Sequence, residues 1–484
     1  MSASPAPSAP RELICESLRI AGEKVSRDRV IEVRHPYSGE IIGTAPKATL
    51  EDVRRALGIA RGFRSTLTRH ERYKILMSAG AIVAGRRETL AHLITLESGL
   101  CLKDSQYEVG RASDVLLFAA NEALVDDGEV FSCDLTAHGK SRKVYTMREP
   151  LLGVITAITP FNHPLNQVIH KVAPAVATNN RVVLKPSEKT PLTAFALADI
   201  LYEAGLPPEM LSVLTGDPAE IADELLTSAD VDLVTFTGGV SVGKYIAAKA
   251  VFKRQVLELG GNDPIIVLED ADLEEAASLA ASGSYKNSGQ RCTAVKRLLV
   301  QESVAGRFVE LLVEKTRAVK FGDPFDPSVD MGTVIDEASA RRFEEVVHEA
   351  VAAGAKLLIG NVRRGALYSP TVLDRVTPDM TVVRHETFGP VSPVIRFKTV
   401  DEAIRISNGT PYGLSSSLCT NRLDLITRFI QELHVGSVNV REVPGYRLEM
   451  TPFGGIKDSG LGHKEGVREA MKSFCNTKTY SLPW

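Results

Sequence analysis

Four short apolar runs dominate the middle of the chain: Val154-Ile155-Thr156-Ala157-Ile158, Arg181-Val182-Val183-Leu184, Leu211-Ser212-Val213-Leu214 and Leu233-Val234-Thr235-Phe236. Each ends in a polar, glycine or proline turn, and stretches of helical pattern separate them. A strand that is apolar on both faces must be covered on both faces, and helices crossing between parallel strands do this. The pattern therefore predicts an α/β fold of βαβ units around a mainly parallel sheet. Ligands of such sheets gather at the carboxyl ends of the strands. The turns Thr159-Pro160-Phe161-Asn162, Lys185-Pro186-Ser187-Glu188, Thr215-Gly216 and Thr237-Gly238-Gly239 fall there. A second α/β series follows Gly261, with strands at 264–268 and 297–300 and a helix at 307–319. Upstream, residues 50–84 and 86–125 read as helices broken near Gly99, with a helix opening at 108–114.

At 484 residues the chain exceeds one ordinary core, so two or three domains are expected. A formal net charge of −3 gives no basic excess for nucleic acid. No apolar stretch is long enough for a membrane span. The six cysteines stand far apart, without metal-ligand spacing, as expected of a reduced, cytoplasmic protein that holds no metal. Residues 1–10, rich in Ser, Ala and Pro, read as a disordered tail.

Chemistry concentrates in two motifs. Cys292 ends Asn287-Ser288-Gly289-Gln290-Arg291-Cys292, and Glu258 begins Glu258-Leu259-Gly260-Gly261. A thiol attacks only as thiolate, so it needs a base or an activating field, which a nearby carboxylate supplies directly or through water. Asn162 follows Thr159-Pro160-Phe161, where a side-chain amide suits an alkoxide. Glu386-Thr387-Phe388-Gly389-Pro390 and Pro452-Phe453-Gly454-Gly455 follow in order. Over roughly 50–478 these motifs resemble the aldehyde dehydrogenase superfamily.

The resemblance implies a Rossmann-type cofactor domain over 1–131 and 153–261, interrupted by an oligomerisation excursion at 132–152. A catalytic α/β domain would span 262–440. Residues 441–484 would return to the cofactor domain and end in an oligomerisation strand paired with that excursion, in a homodimer or homotetramer. Cys292 would be the nucleophile, Glu258 the base for thioester hydrolysis, and Asn162 the oxyanion donor beside the Cys292 N–H. Lys185 and Glu188 would hold the adenine ribose. Thr237, Gly238, Gly239 and Gly243 would meet the cofactor at its pyrophosphate, Leu259 would also contact the cofactor, and Glu386 and Phe388 would meet its nicotinamide end. Glu188 repels a 2′-phosphate, so NAD is expected over NADP. The glycine loop is not a G-x-G-x-x-G fingerprint, and Gly239 stands where the family often has Ser. The late Pro-Phe-Gly-Gly motif is expected to be mainly structural.

Arg111, His163, Arg291 and Arg447 fall near these motifs and would converge on one funnel. They point to a small aldehyde bearing a strong anion, phosphonoacetaldehyde first, with succinate semialdehyde and glyceraldehyde 3-phosphate open. Local ion pairs offer an alternative: Arg111 with Glu108 or Asp114, and Arg447 with Glu442 or Glu449.

Overall fold

The structure, a computed structural model, describes residues 13–126 and 128–484. The expected tail at 1–10 lies outside the described residues. Strands β1 (Leu18–Ile20) and β2 (Glu23–Val25) open the first sheet. Helices α1 (Leu50–Gly62) and α2 (Arg69–Gly85) each begin at a threonine capping box, Thr49 with Asp52 and Thr68 with Glu71. Helix α3 (Arg87–Ser98) stops at Gly99, whose φ of 74° favours glycine. Helix α4 (Leu102–Ala123) starts six residues before the opening expected at 108, because its first turn packs under later loops.

The parallel strands are β3 (Val154–Ile158), β4 (Val182–Lys185), β5 (Leu211–Val213), β6 (Val231–Thr237) and β7 (Arg254–Glu258). Crossing between them run α5 (Asn166–Ala177), α6 (Leu192–Glu203), α7 (Pro218–Thr227) and α8 (Val240–Ala250). The spatial order is β7-β6-β3-β4-β5-β1-β2, with β1 and β2 antiparallel at the edge. Side chains alternate between two cores: Ile155 and Ala157 join α4 to α6, while Val154 and Val183 pack under α1 and α7. Strand order reverses between β3 and β6, the point where such sheets open a crevice. The register sets Ile158 opposite both Lys185 and Phe236, and Thr237 opposite Glu258. The chemistry-bearing turns therefore leave the sheet at one level.

The second sheet comprises β8 (Asp263–Val267), β9 (Val295–Gln301), β10 (Lys356–Ile359), β11 (Thr371–Asp374), β12 (Val391–Phe397), β13 (Ser415–Cys419) and β14 (Ser437–Val440). Its order is β10-β11-β12-β9-β8-β13-β14. The chain passes from the end of β7 into the start of β8, and β8 pairs with β9 from Asp263 and Val295 onward. This brings the Glu258 turn and the loop ending at Cys292 face to face. A third, antiparallel sheet pairs Cys475–Leu482 with Lys143–Pro150, and that strand with Val130–Ser132. Among the described residues no helix is long and apolar enough to cross a membrane.

Candidate active site

Cys292 is delivered by a constrained loop. Asn287 and Ser288 both have φ of 54° and Gly289 has 70°, so three successive residues are left-handed. Non-glycine residues hold that conformation only where their surroundings fix it. Here the carboxylate of Asp104 on α4 accepts the Asn287 N–H at 2.8 Å. The glycines of the Glu258 turn answer to close approach. A Cβ on Gly261 would stand 2.3 Å from the Cys292 carbonyl, and one on Gly260 would strike the Glu386 carboxylate. Cys292 is half-buried, yet the protein around it removes enough water to push its thiol up to about 11, with Lys296 the main opposing charge.

Glu258 is buried, and both carboxylate oxygens lack a hydrogen-bond partner. Burial, and next the neighbouring Glu465 carboxylate, hold it well above the usual carboxylate range. Glu465 carries the charge instead: burial opposes this, but Lys171, His170 and Arg447 hold it low. A carboxylate whose proton affinity is raised above the usual range by burial and a neighbouring acid is the type of group that can take a proton from water. Asn162 Nδ2 donates to the Gln290 carbonyl at 2.9 Å, which fixes the amide beside the Cys292 loop.

A crevice of about 730 Å³ opens at the strand-order reversal, lined by Asn162, Lys185, Glu188, Thr237, Gly238, Gly239, Leu259, Glu386, Phe388 and Cys292. Lys185 forms an ion pair with Glu188 across its wall. Glu386 accepts the Gly261 N–H at 3.2 Å and lies 3.6 Å from Lys296. Phe388 meets Phe161 edge-on at 5.9 Å. Gly243 departs from expectation. It does not line the crevice, and a Cβ there would stand 2.4 Å from the Leu259 side chain, so its glycine serves helix packing. The residues present fit a dinucleotide: helix α8 starts at Gly239 without a side-chain cap, open space lies at the Gly239 Cβ position, and the buried hydroxyls of Thr159 and Thr237 have no partner.

Arg111, His163, Arg291 and Arg447 line one smaller cavity together with Glu258, Thr237 and Cys292. Cys292 thus stands where the two cavities meet. The local ion pairs weighed from sequence do not form. Arg111 instead bonds through Nε to Glu449, and Arg447 lies 3.3 Å from Glu465 with its guanidinium 3.8 Å over the Phe453 ring. Arg291 pairs with no carboxylate among the described residues. Burial holds the His163 imidazole below its usual value, with Glu108 opposing, so it contributes a dipole more than a charge in the free chain.

Sequence reasoning missed several groups. Lys296 lies between the Arg291 carbonyl and Glu386. Lys171, buried, donates to Thr235 at 3.1 Å. Glu449 links Arg111 to His170, whose Nε2 lies 2.7 Å away. Lys286 packs 3.3 Å over the Tyr107 ring, and burial, then Arg291, push it down to about 8. One signal was available: His170 and Lys171 interrupt an otherwise apolar helical run, which is costly unless the charges are used. Just after the late Pro-Phe-Gly-Gly motif, Ser459 donates to the Gly260 carbonyl at 2.7 Å and accepts from the Gly413 N–H, which ties this segment to the Glu258 turn. Phe453 of the motif lines the smaller cavity as well.

Cys292 stands at the junction of a crevice whose lining fits a dinucleotide and a smaller polar cavity. Residues 23–480 match the family model described as "Aldehyde dehydrogenase family". The chain is 41% identical over 466 residues to 3-sulfolactaldehyde dehydrogenase of Priestia aryabhattai, covering 96% of this chain and 97% of that protein. Its structure is similar to the NAD-dependent aldehyde dehydrogenase from Sinorhizobium meliloti, with TM-score 0.93, 34% identity, and 99% and 97% of the two chains covered. It is also similar to NADP-dependent glyceraldehyde-3-phosphate dehydrogenase from Bacillus halodurans C-125 complexed with NADP, with TM-score 0.93, 38% identity, and 97% and 99% covered. The chain belongs to the aldehyde dehydrogenase family.

Proposed function

We propose that the protein oxidises a small aldehyde carrying a tetrahedral oxyanion to the carboxylic acid, with phosphonoacetaldehyde, giving phosphonoacetate, as the first substrate to test. The observation that carries this is Arg291, an unpaired guanidinium lining the cavity that holds Cys292 and Glu258. A planar fork meets anionic oxygens in pairs. Arg111 adds a second fork, because its Nε serves Glu449 while its Nη groups carry no hydrogen bond among the described residues. Two relatives support the class by name: 3-sulfolactaldehyde and glyceraldehyde 3-phosphate both carry a tetrahedral oxyanion.

The Cys292 thiol gives its proton to solvent as the substrate arrives, and its sulfur attacks the carbonyl carbon: a C–S bond forms as the C=O π pair moves to oxygen and leaves an alkoxide. The free N–H of the Asn162 amide and the Cys292 backbone N–H stabilise the alkoxide. Lys185 and Glu188 would hold the adenosine end of NAD, the Thr237–Gly239 turn its pyrophosphate, and Glu386 with Phe388 its nicotinamide end; when bound, NAD supplies the two-electron acceptor that turns the adduct into a thioester. Glu258, in its ionised form, then takes a proton from water, the hydroxide adds to the thioester, the C–S bond breaks, and the acid leaves as the proton held by Glu258 passes to the departing Cys292 sulfur. The distal arginines fix a short substrate at both ends, and so its carbonyl near the sulfur. Glu188 favours NAD over NADP. Cytoplasmic location and assembly as a homodimer or homotetramer through the third sheet complete the proposal.

The test is NADH formation with phosphonoacetaldehyde, 3-sulfolactaldehyde, glyceraldehyde 3-phosphate, succinate semialdehyde and propanal. Anionic aldehydes should lead in kcat/KM by at least tenfold, and Cys292→Ala should abolish every signal. Propanal as the best substrate would refute the anion assignment.

A further inference from the structure

Helix α4 carries Asp104, Glu108 and Arg111 at i, i+4 and i+7, which places them along one face. Each reaches a different part of the site. Asp104 holds the left-handed segment before Cys292 through the Asn287 N–H. Arg111 lines the anion cavity. Glu108, fully buried, accepts the N–H groups of Leu165 and Asn166 at 2.8 and 3.0 Å through a single oxygen, Oε1. Those N–H groups open α5, whose start has no other side-chain cap, directly after the turn that carries Asn162 and His163. The second oxygen, Oε2, lies 3.5 Å from His163 Nδ1 and has no hydrogen bond. The Asn287 amide nitrogen stands 3.0 Å from the same His163 Nδ1, and it also donates to the Asn162 carbonyl at 3.4 Å. The alkoxide-donor turn and the nucleophile loop are therefore tied to each other by Asn287 and to the same helix by two carboxylates one turn apart.

We infer that Glu108 is a positioning residue for the reaction, which sets the distance between the Asn162 amide and the Cys292 sulfur by anchoring the first turn of α5. This rests on the reading of Cys292 and Asn162 given above. The role depends on reach more than on charge, since what Glu108 supplies is one oxygen shared by two backbone N–H groups. Displacements of an ångström at such a site can cost up to about a hundredfold in rate.

Two conservative variants separate reach from charge. Glu108→Asp keeps the charge but withdraws the oxygens by one methylene, whereas Glu108→Gln keeps the reach and an acceptor oxygen. The aspartate variant should lose about tenfold in kcat, equally for propanal and for anionic aldehydes. The glutamine variant should stay within about threefold of the wild type. In both, the KM for propanal, the Kd for NAD and the rate of Cys292 alkylation by iodoacetamide should stay within about twofold, which a general loosening of the fold would not allow. A glutamine variant slower than the aspartate variant, or an aspartate variant at full rate, overturns the positioning role while the reaction assignment stands. A wild-type chain inactive on every aldehyde sinks the reaction assignment, and this inference with it.

Discussion

Arg291→Ala isolates the charge that the protein itself leaves unanswered. Of the three arginines lining the smaller cavity, Arg111 and Arg447 already face Glu449 and Glu465. Removing either would strand a buried carboxylate and mix stability with binding. Among the described residues Arg291 has no carboxylate partner, so its deletion strands no buried acid and chiefly removes what it offers a ligand. A hydrogen bond to a charged group is worth about 1.5–3 kcal/mol, which at about 1.4 kcal/mol per decade is a loss of roughly 10- to 150-fold in kcat/KM for an anionic aldehyde. Propanal should lose far less, because it presents no anion to Arg291; what it does lose reports the field of Arg291 on the Cys292 sulfur, which Lys296 and Arg447 share. The assay is initial-rate NADH formation with phosphonoacetaldehyde and propanal on wild type and variant at fixed ionic strength. Equal losses on both substrates would show that Arg291 shapes the nucleophile loop and does not read the anion, and the charge argument would fall.

Two further outcomes are expected. The thiol of the free chain, pushed up to about 11 by burial, is almost wholly protonated at neutral pH; the sign follows because burial disfavours the thiolate. Alkylation of Cys292 by iodoacetamide should therefore rise about tenfold per pH unit between roughly pH 7 and 10, and a rate already flat at pH 7 would show a standing thiolate and contradict the burial argument. Glu188→Ser removes the carboxylate paired with Lys185. It should raise kcat/KM with NADP by roughly tenfold, the effect of relieving a like-charge contact of about 1 kcal/mol or slightly more; unchanged NADP turnover would remove Glu188 as the discriminator.

The parallel strands were legible because both-face apolarity is a local property: the runs at 154–158, 181–184, 211–214 and 233–236 needed no partner to be recognised. The turns that end them were legible for the same reason, and their convergence followed from one register, Ile158 against Lys185 and Phe236. Gly243 shows the limit. A glycine in a phosphate-loop context was assigned to the ligand, but the neighbour that demands it is Leu259, sixteen positions away and visible only once α8 is packed.

The sequence by itself determined the strand-turn-helix rhythm, the residue types at the turns, and that the turn carrying Asn162 would leave the carboxyl end of a strand. Tertiary structure alone decided who holds whom. Arg111 met Glu449, 338 positions away, and not its helical neighbours Glu108 or Asp114; Glu108 turned instead to α5, and Glu465, held low by Lys171 and His170, helps burial raise the Glu258 carboxyl. The physical reason is desolvation. Periodicity and turn chemistry act within a few residues, but a buried charge must find its partner wherever folding has removed the water, and that partner has no fixed spacing along the chain.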